Sequence, residues 1–173
     1  MINEIRSEFE RYRLTGEKAL KQVSDDDLNR IVGGGNNSIA MIVRHVGGNL
    51  ASRFTDFLTT DGEKPWRDRD AEFEDRSYTR AEVMEWWEKG WGVLLGELAK
   101  LTDDDMGKSV SIRGIPLTVS SALARSVTHV AYHVGQIVIL ARMAKAEQWE
   151  WITVPRGGSK EYNLNPTKEK KPE

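Results

Sequence analysis

The chain has 173 residues and no cysteine, and its 25 Lys and Arg residues nearly balance 27 Asp and Glu residues, for a formal net charge of −2. This length suits one domain with a sizeable core. The balanced charge argues against a nucleic-acid partner, and the lack of cysteine excludes disulfides, thiolate ligands and a cysteine nucleophile. Because no signal peptide and no membrane-spanning apolar run are recognisable, we expect a cytoplasmic protein without a membrane partner.

The first part of the chain predicts two amphipathic helices. In the first, from about Asn3 to Val23, apolar residues recur at spacings of three, four and seven. The glycine- and asparagine-rich stretch 33–37 is typical of a turn. Ser38 then provides a suitable N-cap for a second helix, from about Ile39 to Leu58.

Residues 61–77 form a long, highly charged connection, with 11 charged residues among 17. Seventeen extended residues can reach about 56 Å, whereas a helix of about 20 residues is only about 30 Å long. The segment can therefore return the chain to the starting end of the second helix and make the second and third helices parallel. We expect an ordered surface crossover that Trp66 and Phe73 anchor.

The second half predicts two more helices and a small β-hairpin. Thr79-Arg80-Ala81-Glu82 has the pattern of a capping box at the start of the third helix. Alternating residues over 109–112 and 115–118, around a glycine-containing dipeptide, indicate a hairpin. The fourth helix runs from about Ser120 to Glu147. Residues 158–173 are expected to form a polar tail that is partly disordered.

These elements predict an all-α domain over residues 1–157. It is a four-helix bundle of up-down-down-up topology, with a long crossover between helices 2 and 3 and a small β-hairpin before helix 4. A weak internal repeat supports two related helix pairs. The segment 21–28 resembles 100–106, and the surroundings of His45 resemble those of His129. In this alignment Asn49 occupies the position that His133 holds in the second pair.

The three histidines carry the strongest chemical signal. His129 and His133 are four residues apart in the fourth predicted helix, so their Cβ atoms lie about 5–6 Å apart on one face. His45, in the second helix, shares a row with Ile42 and Asn49. A third imidazole from a facing helix would complete a metal site with an open coordination position. The alternative is that these are ordinary core or surface histidines, but buried imidazoles need polar partners, which favours a metal.

Other motifs are absent or open to two interpretations. No glutamate follows the first histidine of the pair, so the HExxH motif of zinc hydrolases is missing. No serine lies in a nucleophile-elbow sequence, although a Ser–His–Asp triad is not excluded. Arg44 and Arg125 stand near the first two histidines and could contact an anionic thiol or substrate, although solvated surface charge is the simpler interpretation.

The four predicted helices, with a histidine early in the second and an HxxxH pair in the fourth, resemble the DinB-like (damage-inducible B-like) superfamily. The segment RHVGGNLASRFTDFLTTDGEKPWRDRDAEF is similar to an uncharacterised branch of it. The resemblance covers about residues 1–157. It implies a divalent ion, often nickel or zinc, held by His45, His129 and His133, and a homodimer.

The same resemblance implies a function. The superfamily includes S-transferases that use small thiols such as bacillithiol or mycothiol and an isomerase that uses mycothiol, whereas many members have no established reaction. The first hypothesis is therefore a metal-dependent S-transferase that joins a low-molecular-weight thiol to a small electrophile. A metal-dependent hydrolase and a non-enzymatic dimeric bundle with a structural metal are the alternatives. Asn49, one turn after His45, is a candidate substrate contact or support for His45, with helix packing an equally good interpretation.

Overall fold

The computed structural model describes residues 1–167, which form four long helices and one β-hairpin. The long helices are α1 (Ile2–Leu20), α3 (Ile39–Phe54), α4 (Arg80–Leu98) and α5 (Val119–Lys145). There are also two short helices. The first, α2 (Asp25–Asn29), follows α1, and the second, α6 (Ser159–Tyr162), lies in the tail. Strands β1 (Ser109–Ile112) and β2 (Ile115–Thr118) pair antiparallel before α5, with Ile112 opposite Ile115. The predicted helical class and hairpin are thus confirmed.

The helix ends follow from local side-chain chemistry. At the start of α3, the backbone N–H of Met41 donates to Ser38 Oγ at 3.3 Å. At the start of α4, the backbone N–H of Thr79 donates to Glu82 Oε2 at 2.8 Å, as the capping-box pattern predicts. The helix α3 ends at Phe54 rather than at the predicted Leu58. Asp56 adopts a φ of 51°, in the left-handed region, and this conformation cannot continue the helix.

The two segments that resemble each other in sequence share a local structure. Ser24 and Asp27 form a reciprocal capping box, in which the Ser24 N–H donates to the carboxylate at 3.1 Å. Thr102 and Asp105 form the same arrangement at 2.8 Å. The repeat therefore marks two similar helix-capping turns, one at the start of α2 and the other at a 3-10 turn over Asp103–Asp105.

Large aromatic side chains of α1 and α4 meet in the core. Phe9 of α1 and Trp87 and Trp91 of α4 are completely buried, and the rings of Phe9 and Trp91 meet edge to face at 6.4 Å. A Cβ atom added to Gly90 would lie 2.6 Å from the Cα atom of Gly47 in α3. The backbones of α3 and α4 are therefore in contact where the two glycines meet, and no side chain fits between them.

Charged residues and Phe73, but not Trp66, anchor the crossover. The expectation for Trp66 is wrong, because its side chain is 56% exposed. Phe73 is half-buried and packs against the His45 ring at a centroid distance of 4.9 Å. Glu72 and Lys64 are buried, and the Arg67 side chain is almost fully covered. Because these charges have polar partners inside the protein, the segment can turn them inward.

The hairpin is attached to the crossover through Asp61. The Asp61 carboxylate accepts hydrogen bonds from the backbone N–H groups of Arg113 and Gly114, each at 2.8 Å. The N–H of Gly62 donates to the carbonyl of Ser111 at 2.8 Å. The two residues of the hairpin turn, Arg113 and Gly114, both have positive φ, as a two-residue turn of type I′ requires. Hydrogen bonds from Ser111 and from backbone N–H groups lower the pKa of Asp61 well below its usual range, so it stays charged.

Two further features complete the fold. The tail after residue 157 contains α6, which the sequence analysis did not predict. The prediction of partial disorder covers residues 158–173, of which residues 168–173 lie outside the described part of the chain. None of the helices within residues 1–167 is long and apolar enough to cross a lipid bilayer.

Candidate metal site

The three histidines lie together between α3 and α5. Each of His45, His129 and His133 offers one ring nitrogen, and these atoms all lie within 4.8 Å of one another. The Nε2 atoms of His45 and His129 are 3.1 Å apart. The His133 ring lies at 4.8 Å from the His45 ring and at 4.6 Å from the His129 ring, between centroids. The predicted group is therefore close enough to hold a metal ion.

A buried carboxylate orients His45. Its Nδ1 atom lies 2.8 Å from Glu72 Oε2, and both residues are buried. Arg67 donates to the same carboxylate through Nε at 2.7 Å and Nη2 at 2.9 Å. Burial by itself raises the pKa of Glu72, but the hydrogen bonds from His45 and Arg67 outweigh it and lower the pKa overall. The carboxylate is thus ionised, His45 donates through Nδ1, and its Nε2 lone pair points toward His129.

Sequence reasoning missed Glu72 and Arg67. They lie in a segment whose charge density indicates a solvated surface, and no periodic spacing links them to His45. The nearest sequence signal is Gly48 in the middle of α3. A Cβ atom added there would collide with Glu72 Oε1, so only glycine leaves room for the carboxylate beside the helix.

The two histidines of α5 are held in their neutral form. His133 Nδ1 donates to Gln136 Oε1 at 2.8 Å, one helical turn further on, which leaves Nε2 as the ligand atom. Burial, together with the nearby His133 and His45, lowers the pKa of His129 to about 3. Burial is also the main cause that lowers the pKa of His133. Both rings are therefore uncharged near neutral pH, the state in which imidazole binds a metal.

This donor set fits a divalent transition-metal ion. Imidazole nitrogens suit zinc and nickel, and tetrahedral zinc with Zn–N bonds of about 2.05 Å places its nitrogens about 3.3 Å apart. The 3.1 Å between His45 Nε2 and His129 Nε2 is close to that spacing. Within residues 1–167, no carboxylate joins the three histidines as a fourth ligand. A bound ion would keep an open coordination position, as catalytic sites do.

A cavity of about 140 Å³ opens beside His45 and His129. Asn49 lines it and is half-buried, and its side-chain amide makes no hydrogen bond with another residue in the range 1–167. This amide is therefore free to bond with solvent or with a molecule in the cavity. The further lining residues are Arg53, Phe54, Phe57, Arg69, Ile112, Arg113, Ala122, Arg125 and Ser126.

Of the two arginines singled out in the sequence, only Arg125 lines this cavity. The guanidinium of Arg44 donates instead to the Ala71 carbonyl and, at 2.9 Å, to the Tyr78 hydroxyl. Its charge also lies over the Trp86 ring, 5.2 Å from the centroid. Arg44 therefore attaches α3 to the crossover and to α4, a structural role rather than a contact with a ligand at the histidines.

Fold and site together define a mostly helical protein with a three-histidine group able to hold a metal ion. The chain belongs to a family of proteins of unknown function (DUF1572), whose sequence profile matches residues 1–158. No curated protein matches it. Its fold is similar to that of a solved structure, a "conserved protein of locus from Enterococcus faecalis". That similarity has a TM-score of 0.63 at 13% identity and covers 83% of this chain and 96% of the other. Such low identity extends the likeness to the fold alone.

Proposed function

We propose that this protein is a metal-dependent enzyme that binds one nickel or zinc ion through His45, His129 and His133. The observation that carries the proposal is the buried Glu72 carboxylate, which Arg67 fixes on one side and which holds His45 by Nδ1 on the other. A carboxylate behind a histidine is the usual support of a metal ligand, because it sets the tautomer and the ring orientation. In a cluster that merely filled the core, the facing Nε2 atoms of His45 and His129, 3.1 Å apart, would have only each other as partners.

We further propose that the fold is the up-down-down-up four-helix bundle of the DinB-like superfamily. Phe9 packs on Trp91, and Gly16 lies under the ring of Trp87, so α1 and α4 run in opposite directions. The ring of Phe54, near the end of α3, also packs on Phe9. These contacts support a bundle in which α3 and α4 are parallel, as the length of the crossover allows.

The reaction that we propose is S-transfer from a low-molecular-weight thiol to a small electrophile. A divalent ion bound at the histidines supplies Lewis-acid chemistry that favours the deprotonated form of a thiol or water. The chain has no cysteine, so a sulfur nucleophile has to arrive as a cosubstrate. The thiol releases its proton to solvent, and its sulfur then forms a bond to the electrophilic carbon while the leaving group departs with its electron pair. The free Asn49 amide, which lines the adjacent cavity, is placed to position a reactant by hydrogen bonding.

Two observations weigh against the alternatives. Many metal-dependent hydrolases use a carboxylate as general base for the attacking water, but both oxygens of Glu72 are engaged by His45 and Arg67. A purely structural metal has its coordination completed by protein ligands, whereas the group within residues 1–167 contains three. The transferase therefore stays the first candidate.

A homodimer is part of the proposal. Tyr132, Ile139 and Met143 are exposed on α5 at spacings of seven and four, which place them on one side of the helix. A second copy of the chain would cover this apolar side. Light scattering on the purified protein tests the oligomeric state directly, and a monomer at micromolar concentration would contradict the dimer.

Elemental analysis tests the metal site. Untagged protein purified without chelator should contain about one equivalent of nickel or zinc. The variant His129→Ala should lose the metal while keeping its helical circular-dichroism signal. Thr128→Ala, at an exposed position of the same helix, is the matched control and should keep the metal. Equal metal content in wild type and His129→Ala would refute the ligand assignment.

The thiol dependence requires a second measurement. Metal-loaded protein is incubated with 1-chloro-2,4-dinitrobenzene in the presence and absence of a small thiol such as glutathione or cysteine. We expect a thioether product that forms faster than the uncatalysed reaction, and no conversion without thiol. Release of the hydrolysed product without thiol would instead support the hydrolase.

A further inference from the structure

The cavity beside the histidines has an unusual charge composition. Four arginines line it, Arg53, Arg69, Arg113 and Arg125, and no aspartate or glutamate does. Glu63, outside the lining, is shared by two of them: it accepts from Arg113 Nε at 2.8 Å and from Arg53 Nη1 at 3.3 Å. One carboxylate thus faces two guanidinium groups, so the lining keeps an excess of positive charge.

The other two arginines are unpaired in the described part of the chain. Within residues 1–167, the guanidinium groups of Arg69 and Arg125 make neither an ion pair nor a hydrogen bond. Both residues are exposed, whereas the Arg53 side chain is largely covered. Arg69 comes from the crossover, Arg113 from the hairpin and Arg125 from α5. Three separate elements therefore bring positive charge to the opening of one cavity. Arginines scattered over the surface would not converge in this way.

A buried hydroxyl in the same cavity lacks a partner. Ser126 is 8% exposed, and its Oγ atom makes no hydrogen bond within the described part of the chain. Burying a hydroxyl without a partner costs free energy. Nδ1 of His129, another lining residue, is also buried without a partner. These groups would be satisfied by polar ligand atoms that the chain itself does not provide.

We propose that this cavity binds an anionic oxygen group, a carboxylate or a phosphate, on the molecule that reacts at the histidines. The inference rests on the proposed function, because that function places the reactive end of the molecule at the three histidines. Guanidinium groups bind carboxylate and phosphate through paired, charge-assisted hydrogen bonds, here from Arg69 and Arg125. Ser126 Oγ donates a further hydrogen bond to the same group.

The size of the cavity limits what it can hold. About 140 Å³ is well below the 300–1,000 Å³ of pockets that enclose a whole drug-sized ligand. The cavity therefore accommodates one charged group while the rest of the molecule extends toward the histidines and the opening. A concave site of this size, in a chain of net charge −2, fits a small anion rather than a polyanion such as a nucleic acid.

Isothermal titration of chelator-treated protein tests the inference separately from the metal. Inorganic phosphate and acetate are titrated into wild type, into the double variant Arg69→Gln/Arg125→Gln and into Arg156→Gln/Lys160→Gln. Arg156 and Lys160 are exposed and do not line the cavity, so the second double variant controls for the loss of two positive charges. We expect at least one anion to bind, about tenfold or more weaker binding in Arg69→Gln/Arg125→Gln, and no change in Arg156→Gln/Lys160→Gln. Ser126→Ala changes no charge and should weaken binding about fivefold.

The outcomes of this experiment distinguish failure of the anion site from failure of the proposed function. Tighter binding of phosphate or of acetate supports the inference and identifies the preferred anion. Absence of binding by both anions, or equal affinity in wild type and double variant, overturns it. If the purified protein takes up no metal while metal-free protein still binds the anion through Arg69 and Arg125, the proposed function fails and the anion site stands. If the protein binds its metal but neither anion, only the anion site is refuted.

Discussion

The two sides of α3 contrast sharply. Gly47 and His45 are two residues apart, which places them about 200° apart around the helix. On the glycine side, the backbone of α3 touches that of α4 at Gly90. On the histidine side, imidazoles keep α3 and α5 apart, and a cavity of about 140 Å³ remains. Close backbone contact on one side fixes the position of the helix, so the other side can hold polar groups and a ligand without losing its geometry.

The two sides also differ in electrostatics. The glycine side adjoins a core of aromatic rings such as Trp87 and Trp91. The histidine side contains the buried charges of Glu72 and Arg67. A buried ion pair costs desolvation and contributes little to net stability. Its value here lies in the orientation of His45.

The largest expected effect concerns the glycine side. Gly47→Val forces a branched side chain against the backbone carbonyl of Trp86 and should lower the free energy of unfolding by about 3 kcal/mol. Gly92→Val is the matched control, because a Cβ atom there meets nothing within 4 Å. Urea unfolding measures both variants. Equal midpoints for the two variants would contradict the close contact of α3 and α4. In both variants we expect the metal content per folded molecule to be unchanged.

On the histidine side, Glu72→Gln should reduce metal affinity by about 10- to 100-fold, because His45 loses its charged support. Competition with a chromophoric chelator measures the affinity. Glu74→Gln, in the same segment but exposed, serves as control. An unaltered affinity in Glu72→Gln would show that the carboxylate does not orient the ligand. Gly48→Ala displaces the same carboxylate and should therefore also lower the affinity for the metal.

Acidification should destabilise the metal-free protein. The pKa of His129 is about 3 in the folded state and about 6.5 in the unfolded state, so the unfolded chain binds the proton first. Stability contributed by this group is complete above pH 6.5 and decreases as the pH falls toward 3, by at most about 1.4 kcal/mol per pH unit. Urea midpoints between pH 7 and 5 measure the slope. His129→Gln should reduce it, and an identical slope would exclude His129 as the cause.

The smallest effect is expected for Asn49→Ala. Its side-chain amide has no partner among residues 1–167, so removal should leave the metal content and helix content unchanged. The thiol-dependent rate should fall by about five- to tenfold, the usual value of one hydrogen bond to a reactant. Parallel loss of metal and activity would make Asn49 a ligand or a structural residue instead.

Features set by neighbouring residues could be predicted from the sequence, and features set by distant pairs could not. The caps at Ser38 and Thr79 and the hairpin depend on local spacing, and they form as expected. The same holds for His129 and His133, which share a face because they lie four residues apart. His45 joined the group through an inferred facing helix and a family resemblance.

Glu72 and Arg67 escaped prediction for a physical reason. Glu72 meets His45 across 27 residues, from a segment whose composition indicates solvent exposure. Its burial depends on Arg67 and on the absence of a side chain at Gly48, and no periodic pattern encodes such a three-way contact. Trp66 shows the converse error, because a large apolar side chain in a charged segment need not be buried.

The attachment of the hairpin to Asp61 has a consequence for how the site opens. The amides of Gly62, Arg113 and Gly114 are hydrogen-bonded across the junction of crossover and hairpin. None of them can exchange with solvent deuterium unless that junction separates. All three should therefore exchange with the same opening free energy, as one cooperative unit. Since both segments line the cavity through Arg69 and Arg113, a single local unfolding event would expose the histidines from two sides at once.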